Sequence, residues 1–592
     1  MDGIRHFEIA PCAAAEIALL RRQLGMSDAL AQVLVRRGLG DPEHARAFLA
    51  ADEEHSPSAF AGIDAAIATI LRHVRAGTRI TVHGDYDVDG ICSTAVLVRV
   101  LRALGADVDW YLPDRATDGY GLNHATVQRL AERGTRLLVS ADCAITAVDE
   151  VRAALALGLE VVVSDHHAPR ADGELPPVPI VHPALCGYPC PDLCATAVAH
   201  KLALALWEAA GAERETGAFP GAPGGGRYEP GEDLDLVALA TIADVVALTG
   251  ENRMLVRRGL RALAGTAKPG LRALLAVAHI SDPARVNERA VAFALAPRLN
   301  AAGRLYRADA GLELILSDDP VRAQAIASEL DRANYERRHT ETRILFEAER
   351  QVTELGELPA YVLAGEEWHP GVIGIVASRL AERHHRPFVL IALDGDAGRG
   401  SGRSIERFDL LGALQACAGS LRRYGGHRAA AGLELERTRV PELRAAFAAH
   451  AGRVLGEEAF MPSERVDAVV GCRELDMALA EELQALAPFG RANPAVSLLV
   501  RDASFHDRRP MGEGRHVRFT VRSGGARARA VAFGSGTRLP VEDGAPAEAT
   551  FTLEVNEWNG VSEPRLVLRH AQPCATAVQP ETSADEELVL FA

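Results

Sequence analysis

Arg79-Ile80-Thr81-Val82-His83-Gly84-Asp85-Tyr86-Asp87-Val88-Asp89-Gly90-Ile91 passes from a β-branched apolar run, through a turn crowded with charge, into an apolar helical pattern. The first five residues predict a strand, and the spacing from Ile91 to Leu104 predicts a helix. The same alternation continues with strand Val108 to Leu112, helix Asn123 to Arg133, and apolar strands Arg136 to Ser140 and Glu160 to Ser164. Strands alternating with helices predict a parallel sheet covered on both faces. Ligands of such sheets sit beyond the carboxyl ends of the strands, where the charged turn after His83 falls.

That turn holds three carboxylates and a histidine, which repel or compete unless cations neutralise them. A water-exposed acidic turn or a helix N-cap is the alternative, and further motifs weigh against it. Ser164-Asp165-His166-His167 and Val139-Ser140-Ala141-Asp142 also follow apolar strands, and Asp244 interrupts the apolar run Ala240-Thr241-Ile242-Ala243-Asp244-Val245-Val246. A buried unpaired carboxylate is costly, so a cation beside Asp244 is expected. If these segments are neighbours, His83, Asp87, Asp89, Asp142, His166 and Asp244 converge. Mixed oxygen and imidazole ligands favour Mn²⁺, with Mg²⁺ or Co²⁺ also suited, and the absence of cysteine argues against structural zinc. So many ligands suit two ions about 3.5–4 Å apart.

Outward from this core, Ala13 to Ala50 has helical apolar spacing, and residues 1–64 are read as an N-terminal helical cap. The first α/β domain is expected over 65–318. Asp319-Pro320 opens a polar helical pattern reaching about Leu355, a connector on the order of 50 Å long at ~1.5 Å per residue. Strand Ala360 to Ala364, helix Gly371 to Arg383 and strand Pro387 to Leu393 predict a smaller α/β domain over 356–458. Ser497 to Val500, Val517 to Val521 and Thr550 to Val555 predict an antiparallel β-barrel over 459–575, followed by an acidic tail, 576–592. Gly217 to Gly231 reads as a surface insertion.

The 592 residues are 48 % hydrophobic and 24 % charged, which excludes global disorder, collagen and coiled-coil fibres. No run of about 18 apolar residues predicts a membrane span. Met1-Asp2-Gly3-Ile4-Arg5-His6 lacks the features of a secretory leader, so a cytoplasmic protein is expected. Nine cysteines make no disulfide scaffold. Cys186, Cys190 and Cys194 are spaced by four, but Pro191 interrupts the run and no fourth thiol stands nearby, so they read as reduced structural residues rather than a metal site. The net charge of −16 speaks against a polyanion partner only as an average; Arg508 to Arg529 is arginine-rich, and a local basic groove coexists with an acidic exterior. Lysine occurs only at Lys201 and Lys268.

The triplet Asp165-His166-His167 and the three other acidic motifs resemble the four motifs of the DHH phosphoesterase superfamily. Asp118-Gly119-Tyr120-Gly121-Leu122, Ala296-Pro297-Arg298-Leu299-Asn300-Ala301-Ala302-Gly303-Arg304-Leu305 and Pro488-Phe489-Gly490-Arg491-Ala492-Asn493-Pro494 are similar to segments of its RecJ branch, single-strand-specific 5′→3′ DNA exonucleases. Gly400-Ser401-Gly402-Arg403-Ser404 and Tyr424-Gly425-Gly426-His427 resemble the DHHA1 domain, and the β-region resembles an OB-fold. The resemblance spans roughly residues 65 to 570. It implies an α/β fold: a parallel-sheet DHH catalytic domain joined by a long helix to a smaller α/β DHHA1 domain, followed by a β-barrel OB-fold.

The resemblance implies a two-metal phosphodiesterase using Mn²⁺ or Mg²⁺. One ion is expected on His83, Asp87 and Asp142, and the other on Asp89, Asp142, His166 and Asp244, with Asp142 bridging. His167 is implied as an acid or electrostatic group at the scissile phosphate, with Asp85 supporting the cluster. Arg298, Asn300 and Arg304 are implied to contact the strand, and Ser401, Arg403, Ser404 and His427 to bind phosphate. In the barrel, the implied DNA contacts are Arg515, Arg518 and Trp558, with His516, Arg527 and Arg529 beside them, while Phe519 is expected in the core. The glycine run Gly398 to Ser404 fits a phosphate cradle or a turn between strands; it is no Walker loop, so no ATP use is expected. The implied activity is degradation of single-stranded DNA from a 5′ end to mononucleotides, in DNA repair and recombination. A helicase and a single-strand-binding protein are the implied partners, without a membrane.

Three positions depart from the family pattern. Ala144 stands where glycine is usual, and is strained if that position needs a positive φ. His182-Pro183 replaces an Asn-Pro, and Cys194 to Val198 replaces a Gly-rich segment. Two rival functions are an oligoribonuclease or nucleotide phosphatase of the DHH type, which needs only the first two domains, and a catalytically silent DNA-binding scaffold. Retention of every ligand speaks against the silent scaffold.

Overall fold

The structure, a computed structural model, describes residues 5–574 apart from 115–118, 120, 216–227, 306, 308, 457–459, 461, 537 and 559, and leaves the side chains of 213–215, 305 and 558 undescribed. Asp118, Tyr120, residues 217–227 of the Gly-rich insertion, the Trp558 side chain and the acidic tail therefore lie outside the described residues. The chain forms two compact units. One comprises Ala47–Phe460 with Pro488–Pro494; the other comprises Met1–Arg46, Met461–Ala487 and Ala495–Ala592.

In the first unit, strands Val108–Tyr111, Ile80–His83, Leu137–Ser140, Glu160–Ser164 and Ile180–Val181 form a five-stranded sheet in that spatial order, all parallel. Numbered along the chain, the order is 2-1-3-4-5, so the winding reverses between the first and third strands, the crevice where open α/β sheets bind ligands. The register places His83 beside Ser140, so the motifs that follow both strands open side by side. Ile80–His83 and Leu137–Ser140 are buried along their whole length, which accounts for continuous apolar runs rather than alternation. Helix Val88–Ala103 packs against helix Ala195–Glu215 over this core.

Helix Pro320–Leu355 runs 36 residues, about 54 Å at ~1.5 Å per residue. Asp319 caps its start by accepting from the Val321 amide at 2.8 Å, and Gly356 ends it at φ 71°. A second sheet follows in the order Arg423–Gly426, Ala430–Glu436, Ala397–Arg403, Phe388–Asp394, Tyr361–Glu366; only its last pair is parallel.

The other unit holds a closed barrel of Leu498–Met511, His516–Ser523, Ala526–Ala532, Val561–Pro573 and Ala547–Trp558. The first and last of these pair with each other, and Ala468–Val469 is added beside Leu498. Phe519 is buried against Phe505, as expected. The residues read as one N-terminal cap divide near position 46. Strand His6–Ile9, which the helical reading of the start did not include, pairs in parallel with Ser463–Val466, and Arg37 forms a buried ion pair with Asp467 at 3.1 Å. Four residues cannot announce a partner more than 450 positions away. Among the described residues no helix is long and apolar enough to cross a membrane.

Both lysines are buried in ion pairs. Lys201 Nζ lies 2.6 Å from Glu251 and donates to the His55 carbonyl; Glu251 also accepts from the Tyr188 hydroxyl and the His55 amide. Lys268 Nζ meets Asp235 at 2.8 Å and Asp233 at 3.3 Å. Removing one member of such a pair strands a buried charge, at about 3–5 kcal/mol. Glu251→Gln should therefore destabilise the first unit by that order, seen as a lower urea midpoint, while Arg152→Gln, which breaks only the exposed pairs of Arg152 with Glu174 and Asp149, should leave it nearly unchanged.

Candidate metal centre

The turn after His83 is built around its own carboxylates. Asp87 Oδ1 accepts from the amides of Asp89 and Gly90 at 2.9 and 3.1 Å, capping helix Val88–Ala103. Gly90 is required by packing: a Cβ there would stand 2.5 Å from the Asp85 carbonyl. Asn300 Oδ1 accepts from the Val88 amide at 3.1 Å, tying the same helix start to a distant segment.

Asp142 follows strand Leu137–Ser140 with φ 68°. The loop is held from both sides: the Ala141 amide donates to the His83 carbonyl and the Asp142 amide to the Ser164 carbonyl. Asp165 organises the next turn. It accepts from the amides of Ile145, His166 and His167 and faces His167 Nδ1 at 2.9 Å. Behind it, His182 Nδ1 accepts from the Leu185 amide, so its Nε2 carries the proton given to the His167 carbonyl at 2.8 Å. Asp244 caps the end of helix Leu234–Ala243.

Three sets of potential ligand atoms result, each gathered within 4.8 Å: Asp85, Asp87 and Asp142; Asp142, His166 and His167; and Asp89, His166 and Asp244. Asp142 and His166 each belong to two sets. His166 Nε2 lies 3.3 Å from Asp142 Oδ1, and 3.7 Å from both Asp89 Oδ2 and Asp244 Oδ2. Asp142 Oδ1 and His166 Nε2 are buried, yet neither finds a hydrogen-bond partner. Two buried polar atoms without hydrogen bonds, amid carboxylates, fit a divalent cation.

The electrostatics agree. Burial, then the charges of Asp89 and Asp87, push the Asp142 carboxyl well above its usual range. Burial and Asp89 raise Asp87. Asp244 is pushed up to about 8 by burial, Asp89 and Asp87, against the opposing charges of His167 and Arg491. Burial lowers His166. Burial also works against a charged His167, but its hydrogen bond and charge pairing with Asp165, helped by Asp244 and Asp89, prevail and raise it to about 9.

The other candidate residues make contacts of their own within the fold. His83 is buried with Nδ1 3.5 Å from Cys143 Sγ and its ring tilted against Tyr111; among the described residues it belongs to none of the three sets, whereas Asp85 belongs to one. Asp89 commits its oxygens to the amides of Ala195 and Thr196 and to the Thr196 hydroxyl, capping helix Ala195–Glu215. Arg298 is engaged by Asp331 at 2.8 Å and the Ala294 carbonyl, and Arg304 donates to the Gly371 carbonyl.

The glycine run, read as a phosphate cradle or a turn, is instead strand Ala397–Arg403, with its residues in ladder register on both sides. Gly398, Gly400 and Gly402 share the face packed on aliphatic side chains; a Cβ at Gly400 would lie 2.6 Å from Leu433. Ser401 and Arg403 therefore share the other face, with Arg403 donating to Ser401 Oγ at 3.1 Å. Ser404 Oγ donates to the Phe408 carbonyl, and the His427 amide to the Ala430 carbonyl. Arg515 and Arg518 are exposed on the barrel. Cys186, Cys190 and Cys194 are buried free thiols.

Sequence reasoning gave Arg491 no role, although its segment was singled out. The Arg491 carbonyl accepts from Leu248 and its charge reaches Asp244. No local pattern marks that contact.

Ala144 adopts φ 84° two residues beyond Asp142. A methyl in that region costs on the order of 1 kcal/mol relative to glycine. Ala144→Gly should raise the urea midpoint accordingly, and an unchanged or lowered midpoint would show that the surrounding packing compensates the strain.

Residues 79–219 match the DHH family, N-terminal domain; residues 357–452 match the DHHA1 domain; and residues 466–570 match the RecJ OB domain. The chain is 37 % identical over 566 residues to the single-stranded-DNA-specific exonuclease RecJ of Bacillus subtilis, covering 94 % of this chain and 69 % of that one. It is 34 % identical over 537 residues to the Escherichia coli protein of the same name, covering 86 % and 90 %. The crystal structure of Thermus thermophilus RecJ in complex with Mn²⁺ superposes with a TM-score of 0.81 at 32 % identity, covering 96 % of this chain and 79 % of that one. Three domain matches in the expected order, and identity above 30 % over nearly the whole length, place this chain in the RecJ family.

Proposed function

We propose that the chain is a metal-dependent exonuclease that hydrolyses single-stranded DNA, with one divalent ion, Mn²⁺ or Mg²⁺, held by Asp85, Asp87 and Asp142 and a second by Asp142, His166 and Asp244. The observation that carries this reading is Asp142, a buried carboxylate common to two ligand sets, with an oxygen that no hydrogen bond satisfies. Divalent ions at such a centre supply water activated near neutral pH and relief of charge on the phosphoryl oxygens.

The chain's own residues do the rest. Asp165 and the His182-braced backbone hold His167 in one orientation. With Nδ1 committed to Asp165, whose hydrogen bond and charge favour the imidazolium, His167 offers its Nε2 proton to a phosphoryl or leaving oxygen. Asn300 holds the start of the helix that follows Asp85 and Asp87, and Asp89 ties that helix to the one beginning at Ala195. Ser401, Arg403 and His427 serve as phosphate contacts from the second sheet.

The barrel is a further single-strand contact. Arg509 stands directly across from Arg518, and Arg522 across from Arg527. Like charges in cross-strand pairs destabilise a sheet unless a polyanion relieves them. The 5′→3′ polarity, the mononucleotide products, and work in repair and recombination beside a helicase and a single-strand-binding protein follow the family resemblance.

Digestion of end-labelled single and double strands tests this reading. Mn²⁺-dependent loss of the single strand from its 5′ end is expected, with Asp142→Asn slowing it by about 10³-fold. Preference for di- and triribonucleotides would instead establish the oligoribonuclease. Metal binding should also release protons. Below a pH of about 8 Asp244 holds a proton that an ion must displace, so apparent Mn²⁺ affinity should fall by about tenfold per pH unit for each proton displaced. Titration calorimetry in buffers of different ionisation enthalpy reads that release, and its absence would remove Asp244 from the ligand set.

A further inference from the structure

The long helix Pro320–Leu355 presents one face to solvent. At about 100° per residue, Arg332, Tyr335, Arg338, His339, Thr342 and Phe346 fall along it. Tyr335 and Phe346 are 71 % and 74 % exposed. Between Val321 and Thr353 no exposed position of the helix is acidic, although the chain carries a net charge of −16. Most acids of the helix are paired: Asp331, whose half-exposed carboxylate lies on this face, meets Arg298, Glu341 meets Arg337 and Arg379, and Glu349 meets Arg383 and His384. Glu329 and Glu336 stand half-buried at the margin. Arg332 and Arg338 form no ion pair among the described residues. An exposed face that alternates rings with arginines outside any ion pair has the chemistry of a single-strand track, with bases stacking on the rings and phosphates meeting the guanidinium groups. A protein-docking face would be expected to gather its apolar residues into one patch.

We propose that this face of the helix is a binding track for single-stranded nucleic acid, with Tyr335 and Phe346 as stacking platforms about 16 Å apart at ~1.5 Å per residue and Arg332 and Arg338 as phosphate contacts. It rests on the single-strand reading above and adds a contact surface on the connector helix to it.

Fluorescence anisotropy with a long labelled oligodeoxynucleotide, in Ca²⁺ to prevent turnover, tests the track. Tyr335→Ala and Phe346→Ala should each weaken binding by about tenfold, whereas Tyr335→Phe, which keeps the ring, should bind as the parent does. Arg332→Gln with Arg338→Gln should reduce the slope of log affinity against log salt by about 1.4, near 0.7 per phosphate contact. All four positions are exposed, and unchanged melting temperatures would confirm that the variants fold. Affinity and salt slope unchanged in every variant would overturn the track and leave the exonuclease reading standing. A parent protein that neither binds nor cleaves single strands would overturn both.

Discussion

Mutual repulsion among carboxylates is the constraint around which the first unit is organised. Asp85, Asp87, Asp89, Asp142 and Asp244 crowd the carboxyl ends of a parallel sheet, where burial raises the proton affinity of Asp87, Asp142 and Asp244. Such a cluster persists only if each carboxylate is held in place by something stronger than its dislike of its neighbours. Backbone amides do most of that holding. Asp87 and Asp89 each cap a helix N-terminus, where exposed N–H groups and the helix dipole favour negative charge. Asp165 gathers three amides and an imidazole. The residual excess of negative charge, centred on Asp142, is what a pair of divalent ions would neutralise.

The local grammar of the α/β region was legible in the chain because the strands Ile80–His83, Leu137–Ser140 and Glu160–Ser164 are buried, largely apolar runs, each ending in a chemically distinctive turn. The turns named the site, and the 2-1-3-4-5 order explains why turns so far apart in sequence meet. Individual roles were less legible. Nothing in the spacing of Asp85, Asp87 and Asp89 says which will cap a helix and which will face a cation, because that depends on where the helix beginning at Ala195 is aimed. The glycine-rich run was ambiguous for a related reason: Gly398, Gly400 and Gly402 alternate with polar residues as a strand does, and the leucines they accommodate lie elsewhere in the chain.

The strained pair Asp142 and Ala144, at φ 68° and 84°, serves the same end. A sharp left-handed loop lets the Asp142 amide reach the Ser164 carbonyl while its carboxylate turns toward His166, Asp85 and Asp87. Non-glycine residues in that region are uncommon, and they persist where surrounding hydrogen bonds over-determine the backbone. Here the Ser140 hydroxyl, donating to the Cys143 carbonyl and accepting from the Ser164 amide, closes the loop from beneath.

The burial of both lysines has a practical side. Reagents that acylate primary amines meet no lysine side chain standing free on the folded surface, because Lys201 and Lys268 keep their ammonium groups inside ion pairs. Modification at either position requires the core around it to open first. The rate at which an activated ester consumes them thus becomes a clock for local unfolding of the first unit, read by mass spectrometry from two sites in a chain whose other cations are arginine and histidine.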